Sequence, residues 1–370
     1  MKEKILYIDH EFHRKTKSNI FLVELLKERY YVEYITFDPV ANKFNCDKRV
    51  LEEEFDSLIL FQVIVNMENL KKVFHYNNLI FIPMYDGVCS FPDSFWMNYK
   101  NCNIINFSKT LHEKLQKFGL STNYIQFFPE PLECNEGGEK QVYFWQRTQS
   151  INLEKILCLL ENYDIDKVHI HAVSDPGSYI DRPSEELIRK YNIEYSDWYE
   201  SKEDMLNDEK NYAFYVAPRE CEGIGMSFLE AMAMGKVVIA VDAPTMNVYI
   251  ESGKTGFLYD NKNINPIEKK EIQQIQKNVY EYICKGFQEW QERKYDILKW
   301  VVEKPHVNEE LYNRKFGDTT IISKHFLFHM LILTYEKGNT YRLFGKLKVP
   351  EAIADILFKI YFKIKKEPKK

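Results

Sequence analysis

Seven residues separate two glutamates, Glu222 and Glu230, in the stretch RECEGIGMSFLEAMAMGKVVIAV, which runs from position 219 to position 241. The spacing alone carries no meaning in a chain with 28% charged residues, so the neighbouring residues have to define the chemistry. Gly223 and Gly225 lie between the two acids, and glycine lets a backbone approach a ligand closely. The stretch therefore predicts a binding loop with a carboxylate on either side.

A helix is predicted to begin directly after this loop. The run MSFLEAMAM has helical periodicity, and Gly235 suits its carboxyl-terminal cap. The unpaired amides of its first turn, including those of Met226 and Ser227, favour an anion such as a diphosphate. Such an anion would repel both carboxylates, so we expect these to contact neutral hydroxyl groups on its two sides. A sugar nucleotide has this arrangement, and we predict that Glu222 faces its hexose and Glu230 its ribose.

The elements that position these residues follow a regular alternation. In both halves of the chain, short apolar runs such as KILYIDH and YAFYVAPR alternate with longer amphipathic ones. This predicts an α/β fold with two doubly wound, Rossmann-like parallel sheets, whose ligands gather at the carboxyl ends of the strands. Prolines, glycines and acids break the periodicity between positions 127 and 140. We therefore predict domains at 1–132 and 133–304, followed by C-terminal helices at 305–370 that pack back on the first domain.

Length and composition narrow the class of protein. A chain of 370 residues with 45% hydrophobic residues is long enough for two cores. The net charge of −5 means that the protein as a whole does not attract nucleic acid electrostatically. The amino terminus has acids and a histidine too early for a secretion signal, and the seven scattered cysteines fit reduced thiols. We expect a cytoplasmic protein, and we predict that the apolar run 325–335 is a buried helix, because it is too short to span a bilayer.

The opening stretch resembles the E-x(7)-E signature of retaining glycosyltransferases of family 4, of the type called glycosyl transferases group 1. The residues that carry the resemblance are Glu222, Gly223, Gly225, Glu230, Ala231, Met232, Ala233 and Gly235. The downstream run ESGKTGFLYD is also similar to that family. The resemblance implies a GT-B fold with two domains facing a cleft. It also implies transfer of a sugar, with retained anomeric configuration, from a nucleotide-diphosphate sugar to a glycan or lipid-linked saccharide, as in bacterial surface polysaccharide synthesis.

The same resemblance implies the residues on the donor side. The family's arginine and lysine pair for the diphosphate corresponds to Arg147 and Asn152, so only the arginine is kept, and Lys155 lies one helical turn further on. The nucleotide, UDP or GDP, is expected near Asp197 and Trp198. No cofactor and no metal is expected, because backbone amides and Arg147 supply the charge stabilisation that a departing diphosphate needs.

The acceptor side has fewer signals. Asp86 follows a predicted strand in IPMYDGV, where it can orient or deprotonate an acceptor hydroxyl, although an Asp-Gly turn explains it equally well. In the first loop, HEFHRKTKSN, Ser18 is predicted to cap the next helix while Lys15 and Lys17 supply positive charge.

Two other short patterns contain residue types that bind metal ions, but their positions argue against metal sites. Asp164 and Asp166 form a D-x-D pattern, but they lie on the wrong edge of the predicted sheet to hold a metal on the donor. His169 and His171 share one face of a strand, yet no nearby cysteine or third histidine completes a zinc site, so we expect packed strand residues.

Two other functions remain open at this point. One is a non-catalytic subunit that binds a sugar nucleotide for regulation or assembly. Asn152, at the position of the family's lysine, and the lack of glycines in the first loop are consistent with such a subunit. The other is a nucleotide-sugar epimerase on the same two-domain scaffold, which would need no acceptor.

The C-terminal tail, 341–370, is basic and amphipathic. From Arg342 onward, that arginine and eight lysines face three acids, and Pro350 suits the first turn of a helix. One interpretation is a helix packed on the first domain. The other is an interfacial helix that binds anionic lipid on the inner face of the cell membrane.

Overall fold

The computed structural model describes residues 2–38, 43–65, 67–174, 180 and 182–317, together with the backbone of three strands between 333 and 350. The chain divides into two compact units, a first unit of Met1–Ile125 with Lys294–Lys370 and a second unit of Gln126–Arg293. Both boundaries fall earlier than the composition predicts. The amide of Leu132 bonds the carbonyl of Ala233 in the second unit, whereas the hydroxyl of Ser57 donates to the carbonyl of Val301 in the first.

The first unit is built on a seven-stranded sheet in the order β3-β2-β1-β4-β5-β6-β7. All neighbouring strands are parallel except β2 and β3, which are antiparallel. The strands are β1 (Lys4–His10), β2 (Tyr31–Asp38), β3 (Lys43–Asn45), β4 (Glu54–Phe61), β5 (His75–Ile82), β6 (Asn103–Asn106) and β7 (Thr122–Tyr124). The apolar runs read from the sequence form the buried central strands, as predicted.

The helices of the first unit lie between its strands and in the segment after Arg293. They are α1 (Glu11–Thr16), α2 (Ile20–Arg29), α3 (Lys48–Glu52), α4 (Met67–Val73), α5 (Tyr85–Val88), the 3₁₀ helix Asp93–Tyr99, α6 (Lys109–Lys117), α12 (Tyr295–Trp300) and α13 (Glu309–Phe316). Asn103 donates to the carbonyl of Trp300 at 2.7 Å, and the amide of Asn308 bonds the carbonyl of Gly119 at 2.8 Å. The segment after Arg293 is therefore part of the first unit.

The second unit repeats the architecture with a six-stranded sheet in the order β10-β9-β8-β11-β12-β13, in which all neighbours are parallel. Its strands are β8 (Gly138–Trp145), β9 (Lys167–His171), β10 (Glu194–Ser196), β11 (Tyr212–Val216), β12 (Val237–Val241) and β13 (Phe257–Tyr259). Its helices are α7 (Leu153–Leu159), α8 (Glu185–Lys190), α9 (Lys202–Glu209), α10 (Met226–Ala233), the 3₁₀ helix Met246–Val248 and α11 (Ile272–Arg293). Helix α11 ends the second unit, and α12 of the first unit follows it before Pro305.

Each sheet has one point where the chain reverses its direction of travel across the strands. In the first unit the connections from β1 and from β4 run to opposite sides, and in the second unit the same holds for β8 and β11. Ligands of doubly wound sheets bind beyond the carboxyl ends of such strand pairs. The fold therefore identifies the loops after β1 and β4, and those after β8 and β11, as candidate ligand-binding loops.

The end of the chain differs from the sequence prediction. Strands β14 (Leu333–Glu336), β15 (Thr340–Leu343) and β16 (Leu347–Pro350) form an antiparallel sheet. Leu333–Tyr335 is thus strand and not helix, because a short apolar run does not by itself distinguish the two. Pro350 ends a strand instead of starting a helix, a position that tolerates its missing amide proton. The rest of the 325–335 run and the amphipathic residues 351–370 lie outside the described residues. Among the helices of the described residues, none is long and apolar enough to cross a membrane.

Candidate functional site

The loop after β11 carries the first predicted acid and is tied to the loop after β12. The amide of Glu222 donates to the carbonyl of Pro244 at 3.1 Å. The buried hydroxyl of Thr245 reaches the carbonyls of Glu222 and Gly223 at 2.8 and 3.0 Å. The half-buried Glu222 is thus held on a backbone that two neighbouring strands fix at the carboxyl edge of the sheet.

Helix α10 begins at Gly225 without a side-chain cap. Gly225 has a φ of +82°, and a Cβ atom there would lie 1.9 Å from the ring of the buried Phe228. Only glycine fits this position, because both the left-handed backbone and the close ring contact exclude a side chain. The eight-residue helix therefore begins with Met226 and Ser227, and its N-cap residue supplies no side-chain acceptor for their amides. The glycine pattern predicted this arrangement.

Glu230 lies on α10, and its carboxylate is paired with a residue that sequence reasoning did not identify. Glu230 is 7% exposed, and its Oε1 atom accepts from Lys202 Nζ at 2.6 Å. Burial raises the pKa of Glu230, and the Lys202 ammonium opposes that increase. Lys202 begins α9, which follows the loop after β10. The ion pair therefore joins two carboxyl-edge segments.

A second acid, Glu209, is buried near Glu230. Both carboxyl oxygens of Glu209 are buried and have no hydrogen-bond partner within the described part of the chain. Burial, and then the negative charges of Glu230 and Asp208, raise the pKa of Glu209 well above its ordinary value. The nearby Lys236 is also buried, and burial lowers its pKa to about 8. Its ammonium donates to the carbonyls of Asn135 and Lys210, at 2.6 Å each.

Cationic side chains lie at the end of β8, on the other side of the switch point. The guanidinium of Arg147 stacks over the indole of Trp145 at 4.9 Å. Asn152 is the N-cap of α7 and accepts from the amide of Lys155, so the position of the family's lysine serves the helix start. The half-buried Lys155 points to the same edge, because its Nζ atom donates to the carbonyl of Ser150 at 2.6 Å.

The Lys155 ammonium also connects two further loops. It donates to Asn261 Oδ1 at 2.8 Å, and Asn261 Nδ2 donates to Glu220 Oε1 at 2.7 Å. Asn261 follows β13 and Glu220 follows β11, so Lys155 joins the loops after β8 and β13, and Asn261 joins the loop after β11 to them. Lys155 is therefore not a freely solvated surface residue.

Trp198 lies in the loop between β10 and α9 and is 59% exposed. Below it, Ser196 Oγ contacts His169 Nε2, His171 Nδ1 and the hydroxyl of Tyr199 at 2.8 to 2.9 Å. Burial lowers the pKa of His171 to about 4. The two histidines are packed strand residues, as expected from the sequence, and they support the loop that presents Trp198.

The remaining sequence candidates lie elsewhere. Asp86 is half-buried in the short helix α5 of the first unit, directly after β5. Asp164 and Asp166 precede β9 at the amino edge of the second sheet, where Lys140 Nζ lies 3.8 Å from Asp164. Within the described ranges, no group of three or more histidines, cysteines or acids could hold a metal ion. Ser18 does not cap α2, because the N-cap residue is Asn19, whose side chain turns to Asp9.

Comparison with known proteins places this geometry in a family context. The family model of glycosyl transferases group 1 matches residues 184–282, which include the β11–α10 loop, Glu222 and Glu230. A search of curated proteins gave no match.

Solved structures share the fold along most of the chain. Sucrose-phosphate synthase from Thermosynechococcus elongatus has 13% identity and a TM-score of 0.55, over 86% of this chain and 100% of that one. A glycosyltransferase from Rickettsia africae ESF-5 has 14% identity and a TM-score of 0.52, over 86% and 100%. Alr3699/HepE from Anabaena, solved in complex with UDP, has 14% identity and a TM-score of 0.51, over 80% and 99%. The chain has the GT-B fold, and its second unit carries the glycosyl transferases group 1 signature.

Proposed function

We propose that the protein transfers a sugar from a nucleotide-diphosphate sugar to a hydroxyl group of a glycan or lipid-linked saccharide, as in the synthesis of a bacterial surface polysaccharide. One observation carries the proposal. At the β8/β11 switch point, an uncapped helix opened by Gly225 has Glu222 on its loop side and the buried Glu230 along its length. That arrangement suits a ligand with an anionic centre and hydroxyl groups at both ends.

The donor diphosphate is assigned to the amino terminus of α10 together with two cations. The first-turn amides include those of Met226 and Ser227, and Arg147 and Lys155 lie at the end of β8 and the start of α7. Charge that develops on the departing diphosphate is stabilised by donors fixed before the reaction, which needs no metal ion. Lys155 takes the place of the family's lysine, since Asn152 is committed to capping α7.

The two ends of the donor are assigned to the two glutamates. Glu230 accepts hydroxyl groups of the ribose, and Trp198 offers an exposed ring for the base. UDP is the nucleotide bound by the Anabaena neighbour, so UDP is our first choice of probe, and GDP is the alternative. Glu222 faces the hexose, where a carboxylate stabilises positive charge at the anomeric carbon. We propose retention of configuration on the resemblance to family 4.

The acceptor is assigned to the first unit, where Asp86 orients its hydroxyl group. A lipid-linked acceptor would fit a cytoplasmic protein that contacts anionic lipid peripherally through its basic tail, 341–370.

The proposal is tested by thermal unfolding with UDP, GDP, ADP and dTDP, followed by product analysis. A nucleotide that binds only the folded chain raises its melting temperature by mass action. The corresponding UDP- or GDP-sugar is then incubated with saccharide acceptors, with and without EDTA, and the product anomer is read by NMR. Nucleotide release that requires an acceptor, survives EDTA and gives a retained anomer supports the function. Binding without release indicates a non-catalytic subunit, and an altered sugar from donor alone indicates an epimerase.

A further inference from the structure

Glu209, the last residue of α9, is a buried acid that has no part in the proposed transfer. It is 1% exposed, and neither of its carboxyl oxygens has a hydrogen-bond partner among the described residues. A buried carboxylate that accepts no hydrogen bond is costly, whereas the protonated acid carries no charge to desolvate. The surroundings of Glu209 therefore favour its neutral form.

Two lysines lie near Glu209, but each donates to another acceptor. Lys236 Nζ donates to two backbone carbonyls at 2.6 Å each, and Lys202 Nζ donates to Glu230 Oε1 at 2.6 Å. Burial, and then the negative charges of Glu230 and Asp208, raise the pKa of Glu209 more than the two lysines lower it. Neither lysine therefore compensates a charge on Glu209.

The charges around Glu209 balance only while this acid is neutral. The ionisable groups that interact with it are Lys202 and Asp208 of α9, Glu230 of α10, Lys236 before β12, Tyr143 of β8 and Tyr215 of β11. The two tyrosines stay neutral, because burial raises the pKa of both. The two lysines then balance the two acids. Ionised Glu209 leaves this cluster with one excess negative charge.

Tyr215 connects this cluster to the loop that is assigned to the donor. It lies on β11, and the loop that follows β11 carries Glu222 and leads into α10. Burial, and then the negative charge of Glu209, raise the pKa of Tyr215 well above its ordinary value. The charges of Glu230 and Glu222 act in the same direction. The buried acid and both acids of the donor loop are therefore close to one hydroxyl group.

We propose that Glu209 makes nucleotide-sugar binding by the second unit depend on pH. The inference rests on the proposed function and adds a means of regulating it. The negatively charged diphosphate binds the form whose Glu209 is protonated, and it binds more weakly once that proton is lost. Ionised Glu209 places a negative charge near the start of α10, which repels the diphosphate. It also competes with Glu230 for Lys202, which lies about two helical turns earlier on α9.

The experiment measures the affinity for UDP-glucose by calorimetry from pH 5 to pH 8, in two buffers that differ in their enthalpy of ionisation. GDP-glucose replaces it if GDP is the nucleotide that stabilises the fold. A nucleotide sugar is used because it lacks the terminal phosphate of UDP, which titrates near about pH 6. The proteins are the wild type, Glu209→Gln and a matched control, Glu203→Gln, whose side chain is exposed on the same helix.

We expect the wild type and Glu203→Gln to bind UDP-glucose about tenfold more weakly at pH 8 than at pH 5, and to take up a proton on binding. Glu209→Gln should stay within about threefold of the low-pH affinity of the wild type and take up no proton. Burial lowers the pKa of Lys236 to about 8, so this lysine also titrates at the top of the range. Its contribution remains in Glu209→Gln, and the variant therefore separates the two groups.

Two results overturn the inference. One is a wild type that binds UDP-glucose equally well from pH 5 to pH 8 and takes up no proton, which is decisive even if Glu209→Gln fails to fold. The other is a folded Glu209→Gln protein with the pH dependence of the wild type, because another group would then be its source. Failure of the proposed function looks different, since neither nucleotide sugar would bind at any pH, and the inference would fall with it.

Discussion

The ammonium of Lys202 lies 2.6 Å from Oε1 of Glu230, so the carboxylate assigned to the ribose already has a charged partner. A carboxylate offers about four acceptor positions, which lets Glu230 keep Lys202 and accept ribose hydroxyl groups as well. The pair therefore fixes the acid for binding and does not block it. In Glu230→Gln the charged acceptor is lost, and we expect UDP to bind about ten- to a hundredfold more weakly.

Glu251→Gln is the matched control for this measurement, because Glu251 is also paired with a lysine, Lys254 at 2.8 Å, but is exposed. Its UDP affinity should equal that of the wild type. Glu222→Gln should also keep its UDP affinity and lose turnover, since Glu222 is assigned to the sugar. Calorimetry that finds equal affinities in Glu230→Gln and the wild type would refute the ribose assignment.

Gly225→Ala should destabilise the start of α10 and weaken UDP binding. An alanine there adopts an unfavourable left-handed backbone, at about 1 kcal/mol, and its Cβ overlaps the Phe228 ring, at about 1–3 kcal/mol more. Gly253→Ala isolates the first cost, because Gly253 has a φ of +78° and an added Cβ there would have only the end of the Lys270 side chain within 4 Å. Urea unfolding should therefore find Gly225→Ala clearly less stable than Gly253→Ala. Equal losses would mean that the Phe228 contact is easily relieved.

Lys155→Met should raise the KM for the donor about tenfold, because it removes a charge-assisted donor at the proposed diphosphate site. Lys140→Met is the control. Lys140 lies on the same strand-helix unit, but its contact with Asp164 is exposed, and such pairs contribute little. Steady-state kinetics on both variants provide the measurement, and an unchanged donor KM in Lys155→Met would mean that the lysine only joins the loops after β8 and β13.

Glu209→Gln should change how stability depends on pH. The folded-state pKa of Glu209 is raised above the ordinary value of 4.5, so folding takes up a proton between the two pKa values and the wild type loses stability as pH rises above about 4.5. Glutamine takes up no proton, so the free energy of unfolding of Glu209→Gln should rise relative to that of the wild type with increasing pH. Below pH 4.5 the two proteins should be equally stable. Glu203→Gln, on the exposed face of the same helix, should stay within about 0.5 kcal/mol of the wild type. The free energies of unfolding of the wild type and Glu209→Gln are measured from pH 4 to pH 8. A constant difference between them over this range would contradict the raised pKa of the buried acid.

A chain that ends at Pro350 should no longer co-sediment with anionic vesicles at low salt, whereas the full chain should. Each basic residue near such a surface contributes about 1 kcal/mol, and six of the lysines lie beyond Pro350. Pro350 is the appropriate end point because it closes strand β16. Truncated and full chains that pellet equally, or a truncated chain that unfolds, would remove the membrane proposal.

Local patterns predicted the two parallel sheets and the opening of α10. Alternating apolar runs specify strands and helices directly, and Gly225 is readable because its backbone requirement is a property of one residue. Lys202 and Glu209 could not be predicted in the same way. Lys202 depends on a partner, Glu230, that is 28 residues away in the sequence. Glu209 depends on burial, which its charged residue type does not predict. The antiparallel strands after Leu333 were missed because short apolar runs fit a helix as well as a strand.

The hydroxyl of Ser196 is the meeting point of three other polar groups, which are the rings of His169 and His171 and the hydroxyl of Tyr199. Tyr199 also donates to Asp208 Oδ2 at 2.5 Å, and the other nitrogen of His169 contacts the hydroxyl of Tyr212 at 3.2 Å. Polar contacts therefore run without a gap from Tyr212, which begins β11, to Asp208, near the end of α9. The anchor of the loop that presents Trp198 is thus tied to both a strand and a helix of the second unit.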